Sequence, residues 1–158
     1  MSSIVNTGDF FVAAGPVQLD DLCYIERDSD AALCQSLQDQ NFCYVLSQRS
    51  SGKSSLMART IQMLRAQGQV AAVVDLTQIA SRGESEEPGR WYYNIAYRIV
   101  RELRLKVDLQ GWWKEKSVLR SDERLAEFFW EIVLTNTTVP ITIFFDQIEL
   151  AVDLPFSK

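Results

Sequence analysis

The chain has 158 residues, 47% of them hydrophobic and 23% charged, with a formal net charge of −5 and no histidine. That length and balance imply one soluble globular domain. The absence of histidine removes Ser-His-Asp triads, Cys-His dyads and imidazole metal sites together. An acidic balance argues against non-specific binding to nucleic acid, which needs basic faces.

No apolar run approaches the roughly 18 residues of a membrane span. The start, MSSIVNTGDFFVAAG, lacks a basic flank and an apolar core, so it is a poor signal peptide and a cytoplasmic location is expected. Cys23, Cys34 and Cys43 form neither a disulfide framework nor a zinc knuckle, and read as idle or buried thiols.

Residues 1–20 read as loop, punctuated by Gly8, Gly15 and Pro16. Asp28-Ser29-Asp30 can cap a helix over residues 30–39. Residues 42–46, FCYVL, are continuously apolar and are expected to form a strand buried on both faces. A helix then opens near Gly52, with Met57, Ile61 and Leu64 on one face and Gly68 at its C-terminal cap.

Residues 70–76, VAAVVDL, predict a second buried strand, and residues 80–90 a polar loop. Tyr92, Ile95, Ala96, Ile99 and Leu103 recur at helical spacing. Residues 108–116 suggest a short helix carrying Trp112 and Trp113. Asp122 can cap another helix, with Leu125, Phe128, Phe129 and Ile132 as its apolar stripe. Pro140 starts a third apolar strand, ITIFFD, ending at Asp146. Apolar strands alternating with helices imply an α/β fold: a parallel sheet with helices on both faces, whose ligands bind at the carboxyl ends of strands.

Ser47-Gln48-Arg49-Ser50-Ser51-Gly52-Lys53-Ser54 fits the phosphate-loop pattern, strand before and helix after, except that serine replaces its first glycine. Backbone amides of such a turn, including Ser51, surround an anion. Gly52 allows close backbone approach, Lys53 brings a mobile positive charge, and the Ser54 hydroxyl can ligate Mg²⁺. Ser55 either packs or caps the helix weakly; Arg49 reaches a phosphate or is solvated. The competing reading is a serine-rich helix start with an ordinary surface lysine. Asp146 is placed to hold the metal from a strand end, or else merely caps the next turn.

These pieces resemble the AAA-like domain of STAND-type P-loop NTPases, found near the N-termini of multidomain signalling proteins, notably in cyanobacteria. The resemblance runs through "FFVAAGPV", "CYIERDSD", "FCYVLSQRSSGKSSLMARTIQMLRAQG", "VVDLTQIA", "WYYNIAYRIVRELRL", "WWKEK" and "ITIFFDQIELAVDLPFS". It implies binding of ATP or ADP with Mg²⁺ and a switch role. Serine at the loop's first position matches the family's habit. By resemblance, Tyr24 or Ile25 packs on the adenine, and Arg27 contacts the base or anchors its segment; ordinary packing competes.

The family usually places glutamate after the strand-end aspartate, where it polarises the attacking water. Here that catalytic position holds Gln147. An amide can orient water but cannot accept its proton, so binding is better supported than turnover. Glu149 shares Gln147's direction if the strand continues.

The resemblance further implies a three-layer P-loop NTPase-like sheet, apparently truncated after the third strand. Residues 1–40 then form an N-terminal loop and helix segment, and 41–158 the first half of the nucleotide-binding core. An incomplete sheet exposes backbone edges, so a rearranged sheet, a protein partner or self-association is expected. The main alternative is a non-enzymatic interaction scaffold on an ATPase-derived fold. A nucleic-acid-dependent ATPase is a weaker third reading. The four tryptophans read as core or lid packing rather than a ligand cage.

Overall fold

A computed structural model describes residues 27–48, 51–80, 87–152, 154 and 156. The chain falls into two units, residues 1–68 and 69–158. In the first, α1 (Asp28–Gln38) starts where the Asp30 carboxylate accepts the Arg27 amide at 3.3 Å. A carboxylate in the first turn satisfies an otherwise unbonded amide there and suits the helix dipole. The helix α2 (Lys53–Ala66) turns Ile61 and Leu64 inward and is followed by Gly68 at φ +79°. That left-handed glycine ends the helix where the sequence expects. The two helices pack together, and Gln38 Nε2 donates to Gln67 Oε1 at 2.9 Å.

Residues 42–46 do not form the expected strand. Phe42 is 93% exposed, Leu46 82% and Tyr44 76%. Apolar residues make a segment suitable for a sheet, but only a neighbouring backbone with free amides and carbonyls makes it a strand. Among the described residues this run has no such ladder.

In the second unit β1 (Val70–Asp75) and β2 (Ile141–Asp146) form a parallel two-stranded sheet. Their register runs from Val70↔Ile141 to Asp75↔Asp146. Parallel strands need a long crossover. Here it comprises α3 (Thr77–Ala80), α4 (Pro88–Glu102), α5 (Leu109–Glu115) and α6 (Ser121–Phe128), which runs on into a π-turn, Phe129–Val133. Pro88 opens α4, where its missing N–H costs nothing. Asp108 caps α5 by accepting the Gly111 amide at 3.0 Å.

Asp122 does not cap α6 as expected. The helix begins at Ser121, and the Arg120 amide donates to Glu123 at 3.0 Å. An acid at the third helical position reaches back to the capping residue's amide, leaving Asp122 free to pair with the Arg120 guanidinium at 3.0 Å.

The apolar stripes meet in one core: Val74, Leu76 and Ile79 against Trp91, Ile95, Ala96, Ile99, Leu109, Trp113, Phe128 and Val133. Trp91 and Trp113 are core residues, as expected, whereas Trp130 is 68% exposed. Trp112 is half-buried and donates to Glu131 at 2.9 Å.

Candidate functional site

Gly52 takes φ +89° and forms the N-cap of α2. An L side chain is strained there, so glycine is the residue the turn needs. A Cβ at Gly52 would also lie 3.3 Å from the Arg27 guanidinium, which donates to the Ser51 carbonyl at 3.0 Å. Arg27 is thereby tied to the loop. The Ser47 and Ser51 hydroxyls are hydrogen-bonded across the turn, staples that glycine at the first position could not supply.

Lys53 Nζ donates to the carbonyls of Ser47 at 3.0 Å and Gln48 at 2.8 Å. Its ammonium thus folds back over the start of the loop, with one of its three protons unused by those bonds. The first intrahelical bond of α2 is Leu56 N to Gly52 O at 2.9 Å, and the N-cap residue, glycine, has no side chain with which to cap the helix. The amides of its first turn are therefore not used by the helix's own carbonyls, and no acid stands in that turn to repel an anion. Ser54 is exposed; Ser55 is buried and packs inward. Arg49, Tyr24 and Ile25 lie outside the described residues.

In the second unit, Asp146 ends β2 half-buried, and its Oδ1 accepts the Gln147 amide at 2.9 Å. Gln147 is exposed and left-handed at φ +59°, and turns the chain into the 3₁₀ helix Ile148–Ala151. The strand stops at Asp146, so Glu149 does not continue Gln147's direction as an extended strand would have it.

Sequence reasoning missed Asp75. It ends β1 in register with Asp146, so two carboxylate residues close neighbouring strands at one level. The signal was legible, since Asp75 closes the apolar run from Val70 just as Asp146 closes that from Ile141. Asp75 Oδ1 accepts the Thr77 amide at 2.9 Å and the Thr77 hydroxyl at 2.6 Å, and Oδ2 accepts Gln78 at 2.9 Å. Burial pushes the Asp75 carboxyl up, but these bonds and nearby Arg98 outweigh it and hold the group below its ordinary value.

Each unit offers a hard oxygen of the kind Mg²⁺ takes, the Ser54 hydroxyl in the first and the Asp146 carboxylate in the second. No cluster of three or more Asp, Glu, Cys or His that could cage a metal occurs among the described residues.

The profile of the AAA-like domain family matches residues 12–156. The chain belongs to this AAA-like domain family. Such membership brings with it a nucleotide-binding, ATPase-like fold. An uncharacterized WD repeat-containing protein from Synechocystis sp. is 36% identical over 137 residues, which cover 85% of this chain and 11% of that protein. The AAA-like chain thus spans about a tenth of its relative's length. No solved structure matches it.

Proposed function

We propose that this AAA-like domain is the Mg-nucleotide-binding module of a STAND-type signalling ATPase, taking ATP or ADP and hydrolysing it weakly or not at all. The observation that carries this reading is the loop at Gly52: a left-handed glycine at the N-cap of a helix with no acid in its first turn, and the Lys53 ammonium folded over the turn. Phosphate oxygens would take the amides of the turn, Ser47, Ser51 and Ser55 among its residues, and draw Lys53 from the carbonyls it now bonds. Arg49 adds charge, and Tyr24, Ile25 and Arg27 flank the base side. Ser54 and Asp146 are the metal's protein oxygens in this reading. Bound Mg²⁺ would neutralise charge on the phosphates. Gln147, lacking a carboxylate, holds a water without taking its proton.

The finer architecture belongs to the same proposal: a three-layer P-loop-like sheet, with residues 42–46 a segment that has no ladder among the described residues. A cytoplasmic setting and a protein partner complete it. The name of the WD repeat-containing relative is in keeping with protein association, and no helix among the described residues is long and apolar enough to cross a membrane.

The test is thermal unfolding with Mg-ATP. At 100 times Kd the ligand adds about 2.7 kcal/mol of stability. Lys53→Ala should abolish the shift; an unchanged shift in that variant rejects the loop as the site.

The second reading, a scaffold without nucleotide, draws on the exposure of Phe42, Tyr44 and Leu46. It predicts concentration-dependent oligomers together with no response to ATP, ADP or GTP. A monomer that responds to ATP rejects it.

A further inference from the structure

A cavity of about 300 Å³ opens between α3 and α4 in the second unit. Asn94, Tyr97, Arg98 and Arg101 line it from α4, and Gln78 from α3. Positions 94, 97, 98 and 101 follow the i, i+3, i+4, i+7 spacing of one helix face, so both guanidinium groups reach the same opening. The buried side chain of Ile79 also lines it.

Two cations side by side on one helix face repel unless something negative answers them. Asp75 is an acid near enough for its charge to feel Arg98, but its hydrogen bonds go to Thr77 and Gln78 and none to the guanidinium. Among the described residues Arg98 makes no hydrogen bond or ion pair, and Arg101 has only the Tyr97 ring, 5.9 Å from its guanidinium carbon. Arginine suits phosphate because its planar fork can donate two parallel bonds.

The opening also has a flat aromatic flank. The Tyr93 and Tyr97 rings stack at 6.4 Å with 22° between their planes, and Tyr97 is 43% exposed. Tyr93 is fixed from behind by the Trp113 ring, edge-on at 5.5 Å. The volume matches the lower end of small-molecule pockets, about 300–1,000 Å³.

We propose that this cavity is a second ligand site, built from residues other than those of the Gly52 loop, for a small phosphate monoester bearing a planar ring. Arg98 and Arg101 hold the phosphoryl oxygens, and the Tyr97 ring stacks on the ligand's ring through the face that Arg101 leaves when it turns to the phosphate. A nucleoside monophosphate has this chemistry, and no metal is required.

The probe is AMP, titrated calorimetrically into the whole chain without Mg²⁺. Lys53→Ala, which disables the loop, should keep the AMP isotherm. The double variant R98Q/R101Q should weaken it about 10-fold or more, the scale of losing charge-assisted hydrogen bonds, and should retain its response to Mg-ATP. Tyr97→Ala should weaken AMP but leave inorganic phosphate unchanged. In the unsubstituted chain, AMP should shift the ring-proton resonances of Tyr97. No AMP binding, an isotherm lost with Lys53→Ala, or one untouched by R98Q/R101Q overturns the proposal. Failure of the Mg-ATP response alone would instead count against the loop.

Discussion

Gly52 and Gly68 make a matched pair for testing what the loop does. Both are left-handed, at φ +89° and +79°, and both flank α2. Alanine at either position meets the same backbone strain, about 1–2 kcal/mol. For a chain of this size that corresponds to a fall in Tm of about 2–8 °C. The surroundings then separate them. A Cβ at Gly68 meets nothing within 4 Å, whereas at Gly52 it lies 3.3 Å from the Arg27 guanidinium that holds the Ser51 carbonyl. Gly52→Ala should therefore cost more than Gly68→Ala, and under the proposed function the extra methyl would stand where a phosphate approaches the backbone. Urea unfolding with and without Mg-ATP at 100 times Kd reads both effects. Gly68→Ala should keep the roughly 2.7 kcal/mol of ligand stabilisation, and Gly52→Ala should lose most of it. Equal nucleotide stabilisation in the two variants would refute the assignment of the loop. Equal loss without nucleotide would refute the argument from Arg27.

Gln147→Glu restores a carboxylate where the amide now stands, and should raise any ATPase rate, by up to the 10²–10⁴-fold typical of a general base; a steady-state phosphate-release assay reads it, and no change would mean that this position is not limiting. Phe128 is fully buried between the Trp112 and Phe129 rings, at 6.2 and 5.7 Å. Phe128→Ala should cost about 3–5 kcal/mol in urea unfolding. A cost below 1 kcal/mol would show that the aromatic cluster is not the core of the second unit. Glu131 is held below the ordinary carboxylate range first by the hydrogen bond from Lys116, at 2.5 Å, and then by that from Trp112. Its contribution is present above the unfolded-state value and fades as pH falls through the lower folded one. That of Lys116, whose value is raised by the same bond, fades only as pH rises above the ordinary lysine range. Glu131→Gln should therefore lower stability slightly at neutral pH, by little because the pair is open to solvent, and the gap to the unsubstituted chain should close as pH falls through the acid limb; a gap that does not close in acid would show that the pair does not couple to folding.

Helices and their inward faces were legible in the sequence, because these are local, although the start of α6 rests on Arg120 and Glu123 rather than on Asp122. Gly68 stops α2 through its own backbone freedom, and Ile95, Ala96 and Ile99 share a face through helical spacing alone. The strand ending in Asp146 and the turn around Gly52 were legible for the same reason. Which apolar runs pair is a different kind of fact, settled by the backbone that lies alongside. Residues 70–75 and 141–146 have each other, while residues 42–46, just as apolar, have no ladder among the described residues. Likewise no spacing rule could announce that Asp75 stands level with Asp146, or that Gln78 from α3 meets the two α4 arginines at one opening. The sequence determined which segments could be helix, strand or phosphate turn, since those preferences are carried by neighbours a few residues apart. Only the tertiary structure decided which of them met, because pairing and cavities depend on contacts between residues far apart along the chain.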